Sequence, residues 1–198
     1  MIEPKVLLEN ITQAYATFEV FRCRGALTRV IYPKSSPDSP IESRFSMRFC
    51  FTRPGNFFLQ WGLDHRSDRM NHTIIAMDSQ IISHSFGEMR WAREASIEYI
   101  LACHTGISGS LAVQIPALVM GLDIPFFKHI EQIDELDEQG TACYQIKSHR
   151  GESWQRTIIV RIDDWVILRV ADRVCYEQGE YTSDFAYTNI KTTSENAD

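Results

Sequence analysis

Between Ser43 and Met77 the chain alternates apolar and polar residues with a period of two, in two successive runs. The apolar positions of these runs are Phe45, Met47, Phe49 and Phe51, followed by Phe57, Leu59, Trp61 and Leu63. Alternation with this period is typical of strands that bury one face, and most side chains on this face are aromatic. Gly55 and Asn56 separate the runs, so the sequence predicts a β-hairpin, followed by a third strand at His72–Met77.

Three segments have the spacing of helices. At Lys5–Phe18 apolar residues recur every three or four positions, which predicts a helix that lies across a sheet. A pair of helices is predicted in the middle of the chain, at Arg93–His104 and Ile107–Met120. We expect Pro116 to interrupt the second helix of this pair and Gly121 to end it.

The other predicted strands are short, with turns about every 8–12 residues. They are Phe21–Tyr32, Thr73–Met77, Gln80–Phe86, Met89–Trp91, Ile130–Gln139, Thr141–Ser148, Trp154–Asp163, Trp165–Val174 and Tyr181–Thr188. The predicted fold class is α+β: a strongly curved antiparallel sheet, or half-open β-barrel, of about ten strands, with the N-terminal helix and the central helical pair covering its concave face. A closed up-and-down barrel is the alternative, but it would leave the helical pair without a natural place.

Composition indicates a folded globular chain. Of its 198 residues, 44% are hydrophobic and 11% aromatic, which excludes intrinsic disorder as the general state. Residues 1–191 are predicted to form a single domain, and residues 192–198 a polar C-terminal tail. The net charge of -6 disfavours nucleic acid as a partner, and the arginines, which are dispersed along the predicted strands, are interpreted as a solvated outer face.

The cysteine spacing and the first residues of the chain indicate its redox state and cellular compartment. The five cysteines lie far apart without a C-x-x-C pair, which favours reduced thiols; one bridge stays open as an alternative if the protein is exported. No apolar run reaches the ~20 residues of a membrane-spanning helix, and the first residues lack the pattern of a signal peptide. The chain as it stands is predicted to be cytoplasmic, or periplasmic if a signal peptide has been removed.

No group of residues predicts a reaction. Gly106–Ser110 departs from the nucleophile elbow, because its fifth position is serine and a helix precedes it. The six histidines lack the local pairs of zinc sites, and Asp163-Asp164 is interpreted as a turn. The acidic residues of 131–138 are interpreted as a solvated strand and hairpin edge. We therefore predict a protein that is not an enzyme, with no cofactor and no metal.

The aromatic face leaves two functional hypotheses open. Its side chains either fill the core between sheet and helices, as in an interaction or scaffold domain, or line a cavity for an apolar ligand. A third hypothesis, an enzyme assembled from distant residues, requires two histidines to meet in one cleft.

Two hairpin sequences resemble those of a known family. The Phe51–Phe57 turn is similar to the F-x-R-P-x-x-F hairpin of the outer-membrane lipoprotein-sorting (LolA-like) carriers and their uncharacterised periplasmic relatives. Ile162–Val170 is similar to a second hairpin of that family, although Asp164-Trp165 replaces the usual turn residues. Cys143–Ile146 lies where those relatives often have a comparable strand, and the order of helices also matches.

This resemblance implies a half-barrel with a helical lid and a hydrophobic cavity that binds a lipid or other apolar molecule without chemistry. The cavity wall it implies consists of Phe45, Met47, Phe49, Phe57, Leu59, Trp61, Ile158, Val160 and Ile162. The lid it implies consists of Leu111, Ile115, Leu118 and Val119. Oligomeric state is left open.

Overall fold

The structure is a computed structural model, and it describes residues 2–53, 55–63, 72–77, 80–85, 88–91, 114–122 and 129–194. Within these ranges the helices are α1 (Pro4–Thr17) and α2 (Gln114–Val119). The strands are β1 (Phe18–Pro33), β2 (Ile41–Thr52), β3 (Asn56–Leu63), β4 (His72–Met77), β5 (Gln80–Ser85), β6 (Glu88–Trp91), β7 (Ile130–Glu138), β8 (Thr141–Arg150), β9 (Trp154–Arg161), β10 (Ile167–Tyr176) and β11 (Gly179–Ser194).

The eleven strands pair in the order β6-β5-β4-β3-β2-β1-β11-β10-β9-β8-β7. Strands that follow one another in the chain are neighbours in β1–β6 and again in β7–β11, and β1 pairs with β11. The registers from β2 to β6 and from β7 to β11 are all antiparallel, which confirms the predicted antiparallel sheet.

The first helix begins at Pro4 and buries Leu7, Ile11 and Tyr15, the stripe expected from the spacing. The helix ends at Thr17, one residue earlier than predicted, because Phe18 is already the first residue of β1. Strand β1 in turn runs through Pro33, where a missing backbone donor is tolerated at the strand end.

Arg53, in the Arg-Pro turn between β2 and β3, caps the end of α1. Its Nε donates to the carbonyl oxygen of Phe18 at 2.9 Å, and its Nη2 donates to the carbonyl oxygens of Tyr15 and Ala16. The last carbonyls of a helix have no partner within it, and a cation beside them also complements the helix dipole. The motif that carries the family resemblance therefore has a structural role here.

The second helix, α2, ends as predicted. Gly121 has a positive φ of 70°, its N–H donates to the carbonyl of Leu118, and the N–H of Leu122 donates to that of Ala117. These bonds form a Schellman motif, in which glycine adopts the left-handed conformation most easily. Residues 107–113 of the predicted helix lie outside the described residues, so its interruption at Pro116 stays a prediction. The predicted helix at 93–104 lies outside the described residues.

Several strand boundaries differ from prediction, and two of these differences change how a turn or the tail is interpreted. Strand β10 begins at Ile167 and not at Trp165, because Trp165 has a φ of 61° and belongs to the preceding turn. That turn confirms the interpretation of Asp163-Asp164: Arg161 donates to both carboxylate oxygens of Asp164, at 2.8 and 2.6 Å. Strand β11 continues to Ser194, so residues 192–194 of the predicted tail lie in it, since threonine suits a strand.

The chain divides into two compact units by its internal contacts. The first unit, residues 1–14, 27–43 and 125–186, contains β7–β10 and half of β11. The second unit, residues 15–26, 44–124 and 187–198, contains β3–β6, most of β2 and the described helix α2.

Four cysteines lie within the described residues, all as free thiols: Cys23, Cys50, Cys143 and Cys175. Burial raises the pKa of the Cys23 thiol to about 12, with a smaller contribution from Cys50. The thiol therefore stays protonated at neutral pH. Cys103 lies outside the described residues.

Gly179, at the turn into β11, has no room for a side chain. An added Cβ would lie 2.2 Å from the carbonyl oxygen of Tyr32, and φ is 150°. We expect Gly179→Ala to lower the free energy of unfolding by roughly 2–3 kcal/mol, because both the conformation and the backbone contact oppose it. Urea denaturation measures this loss. Gly151→Ala, with a φ of 63° but open space, is the control and should lose only about 1 kcal/mol; equal losses would contradict the contact argument.

Candidate functional site

Within the second unit, β2, β3 and β4 share one buried face. The register places Met47 opposite Trp61 and Phe49 opposite Leu59, and Leu59 in turn opposite Ile74 of β4. Opposite residues of antiparallel strands point to the same side of a sheet. The six predicted wall residues of this unit therefore share one face, and none is more than 9% exposed: Phe45, Met47, Phe49, Phe57, Leu59 and Trp61.

Aromatic rings continue this face to the end of α1. Ring centroids follow one another at 5.4–6.3 Å through Tyr15, Phe18, Phe21, Phe49 and Phe57. These distances and the tilted arrangements are those of favourable aromatic pairs. Together with Phe45, Met47, Leu59 and Trp61 of the same face, these rings form a continuous apolar surface, which is called the aromatic wall below.

A histidine lies on the aromatic wall. The His72 ring stacks on Trp61, with centroids 5.0 Å apart and ring planes at 16°, and His72 is buried. His72 was not predicted as a site residue. Its position in step with Ile74 and Ala76, two and four residues further on, could have revealed that it points inward.

Of the three predicted cavity-wall residues in the first unit, two are also buried. Ile158 and Val160 lie on one face of β9 and are fully buried. The third, Ile162, lies after the end of β9 and is only partly buried; its N–H donates to the carbonyl of Ala142 at 3.0 Å. The predicted strand extended through Ile162, but the turn toward β10 begins there.

The same face of the first unit contains a row of buried polar residues. Ser148, Arg156, Asp172 and Ser183 lie opposite one another on β8, β9, β10 and β11. Arg156 donates to both carboxylate oxygens of Asp172, Nε at 2.6 Å and Nη2 at 2.7 Å. The guanidinium also lies 4.9 Å from the ring centroid of Trp154. A bidentate pair of this kind satisfies both charges away from water.

Arg29 extends this row onto β1. Its Nε lies 3.4 Å from the hydroxyl oxygen of Ser183, and its guanidinium lies 5.7 Å from the ring centroid of Tyr181. Burial lowers the pKa of Arg29 and raises the pKa of Tyr181.

The row of buried polar residues was not predicted, although the sequence contains a pattern that indicates it. Arg156 is in step with Ile158 and Val160, and Asp172 is in step with Val170. Period-two alternation therefore placed both charges on the inner face. An opposite pair of charges at inward positions of adjacent predicted strands indicates a buried ion pair.

The described lid residues are buried as well. Ile115 and Val119 of α2 are fully buried, and Leu118 is nearly so. The helix belongs to the same compact unit as the aromatic wall. Leu111 lies outside the described residues, and the role of the other three as a lid stays a prediction.

Two histidines meet at the beginning of the β7–β8 pair. The rings of His129 and His149 have centroids 5.8 Å apart, and Nδ1 of His149 lies 2.8 Å from Oε1 of Glu131. These side chains lie at a partly exposed edge and not in a buried cleft. Within the described ranges, no group of three or more histidine, cysteine or carboxylate side chains is arranged to hold a metal ion.

The arginines are less dispersed than predicted. Arg24 of β1 and Arg48 of β2 line one groove on the outer face of the second unit. Both are exposed, as the prediction of a solvated outer face requires. That prediction was wrong for Arg156, which is buried in its pair with Asp172.

The architecture is that of an α+β protein with an open antiparallel sheet and an N-terminal helix. Neither a protein-family model nor a curated protein matches the sequence. Among solved structures, the chain is similar to a LolA superfamily protein from Nitrosomonas europaea, at 9% identity and a TM-score of 0.44, over 98% of this chain and 95% of that one. It is also similar to LprF from Mycobacterium bovis, at 10% identity and a TM-score of 0.45, over 98% and 96% of the two chains.

A third similar structure is a chain in the MucA/MucB complex from Pseudomonas aeruginosa, at 11% identity and a TM-score of 0.46, over 98% of this chain and 58% of that one. One of these structures is named as a member of the LolA superfamily, the family that the two hairpin sequences resemble. At these identities and TM-scores the similarity concerns the arrangement of strands and helices and does not extend to ligand or activity. None of the described helices is long and apolar enough to cross a membrane.

Proposed function

We propose that the protein binds an apolar, acyl-chain-like ligand on the aromatic wall and catalyses no reaction. The observation that supports this most directly is the continuity of the wall over α1, β1, β2 and β3. It offers a long apolar surface, and the described positions of β2–β4 on this face include no charged side chain. Such a surface matches a ligand that has no polar groups to satisfy along its length.

In this proposal the sheet curves as a half-barrel, and helices cover its concave side. The free energy of binding would come from apolar burial, at about 25 cal/mol per Å2, or about 0.8 kcal/mol for each methylene group of the ligand. Aromatic rings suit this task, since their large faces contact a flexible chain without specifying its exact path.

The lid has to move for a ligand to enter. Leu59, Ile115 and Val119 are fully buried, so in the described conformation they line no water-sized space. Binding would therefore exchange contacts between lid and wall for contacts with the ligand. In this proposal α2 is the element that moves, because three of its described residues belong to the predicted lid.

A saturable increase in fluorescence of N-phenyl-1-naphthylamine, an uncharged apolar probe, would test this proposal. Uncharged dodecanol should displace the probe, and native mass spectrometry of the purified protein should detect co-purified lipid. Leu118→Ala, which weakens the lid, should raise the affinity for the probe several-fold. If the folded protein and this variant both fail to bind the probe, the wall is a filled core, as in the interaction-domain hypothesis.

A further inference from the structure

We propose a second binding site on the opposite face of the sheet, for a phosphate group carried by a small organic molecule or by a lipid headgroup. The site is a groove of about 370 Å3 in the second unit. Its lining consists of Arg24, Gly25, Ser46, Met47, Arg48, Gln60, Trp61 and Gly62. The volume lies within the range of small-molecule sites, which is about 300–1,000 Å3.

Strand register explains how the groove is built. Ser46 lies directly opposite Gly62, and Arg48 directly opposite Gln60. These residues alternate with the aromatic wall, so their side chains point to the outer face. Gly62 has no side chain, which leaves the floor open between the longer side chains of Arg48 and Gln60. The groove is therefore a gap between side chains on a rigid sheet.

The eight residues that line the groove include two arginines and no aspartate or glutamate. Segments 20–26, 44–52, 56–63 and 72–77 contain four arginines and no aspartate or glutamate, although the chain as a whole has a net charge of -6. Among the described residues, no carboxylate forms an ion pair with Arg24 or Arg48. By contrast, Arg156, Arg161, Arg169 and Arg173 all have carboxylate partners.

Phosphate fits this arrangement better than a carboxylate. A phosphate monoester has a charge of about -1.5 to -2 at pH 7 and three acceptor oxygens, so it can accept from two guanidinium groups at once. A single carboxylate is already satisfied by one arginine in a bidentate pair. The hydroxyl of Ser46 and the amide of Gln60 add two uncharged donors beside the arginines.

Isothermal titration calorimetry with sn-glycerol 3-phosphate, in a phosphate-free buffer of low ionic strength, tests the site. We expect saturable binding that becomes roughly tenfold weaker or more in the double variant Arg24→Gln/Arg48→Gln. Arg22→Gln is the matched control, because Arg22 is exposed on the same face of β1 but does not line the groove. It should change the affinity less than twofold.

Two further binding measurements identify the kind of molecule that carries the phosphate. Binding to phosphatidylcholine vesicles that contain phosphatidic acid, if lost in the double variant, would show that the phosphate belongs to a lipid headgroup. Inorganic phosphate should bind more weakly than glycerol 3-phosphate, since it leaves most of the groove empty. Equal affinity for the two would overturn the organic-phosphate assignment.

The site is refuted if the folded double variant binds as the natural chain does, or if Arg22→Gln loses as much as the double variant. It is also refuted if neither the soluble phosphate nor the vesicles bind. Exposed arginines can be replaced with little effect on folding, which thermal unfolding verifies. Binding of N-phenyl-1-naphthylamine should be unchanged in the double variant, so this site and the aromatic wall are tested independently.

Discussion

Asp172→Ala is expected to lower the free energy of unfolding by about 3–5 kcal/mol. The change leaves the guanidinium of Arg156 buried without its bidentate partner, and removing one member of a buried ion pair has this order of effect. Asp172 and Arg156 are only 6% and 7% exposed, so water cannot replace the lost oxygens without disturbing the sheet. Urea denaturation followed by circular dichroism measures the loss.

A matched control exists on the neighbouring strand β11. Arg169 donates to both carboxylate oxygens of Asp184, but these side chains are 45% and 41% exposed. Asp184→Ala should therefore lose no more than about 1 kcal/mol. The double variant Arg156→Met/Asp172→Leu should recover most of the stability lost in Asp172→Ala, because an apolar pair of similar volume removes the buried charge altogether. Equal losses at Asp172 and Asp184 would contradict the role of burial.

The hairpins were predictable because their signals are local. The alternation in residues 45–63 and the turn at Gly55 lie within one short segment, and the register from Phe45 to Phe57 follows from them. The same holds for the turn at Gly140, where Gln139 and Gly140 both have positive φ and β7 pairs with β8. Each of these elements needs no information from distant parts of the chain.

The polar row and the outer groove depend on distant pairings. Arg29 reaches Ser183 across β1 and β11, which are far apart in sequence. Arg24 and Arg48 line one groove only because β1 lies beside β2. Periodicity predicts the face on which a residue lies, but it does not predict which strands become neighbours. The composition of each face was therefore predictable, and the clusters on it were not.

Phe49→Ala on the aromatic wall is expected to lower the free energy of unfolding by about 3–5 kcal/mol. Phe49 is 2% exposed, and its ring centroid lies 6.1 Å from that of Phe21 and 6.3 Å from that of Phe57. The substitution removes these contacts and leaves an apolar void. Such voids stay dry and bind apolar molecules, so saturating N-phenyl-1-naphthylamine should raise the unfolding midpoint of Phe49→Ala more than that of the natural chain.

Phe58→Ala is the control that distinguishes an effect specific to the aromatic wall from the general effect of removing an aromatic ring. Phe58 neighbours Phe57 in β3, lies opposite Cys50 on the outer face and is only partly buried. Phe58→Ala should lose less stability than Phe49→Ala. The probe should raise its unfolding midpoint no more than it raises that of the natural chain. If the probe raises the unfolding midpoint of both variants equally, or of neither, apolar binding is not specific to the wall, and the proposed ligand site is wrong. If it rescues Phe49→Ala alone, the face that organises this sheet also accepts an apolar ligand, because only a void on that face is filled.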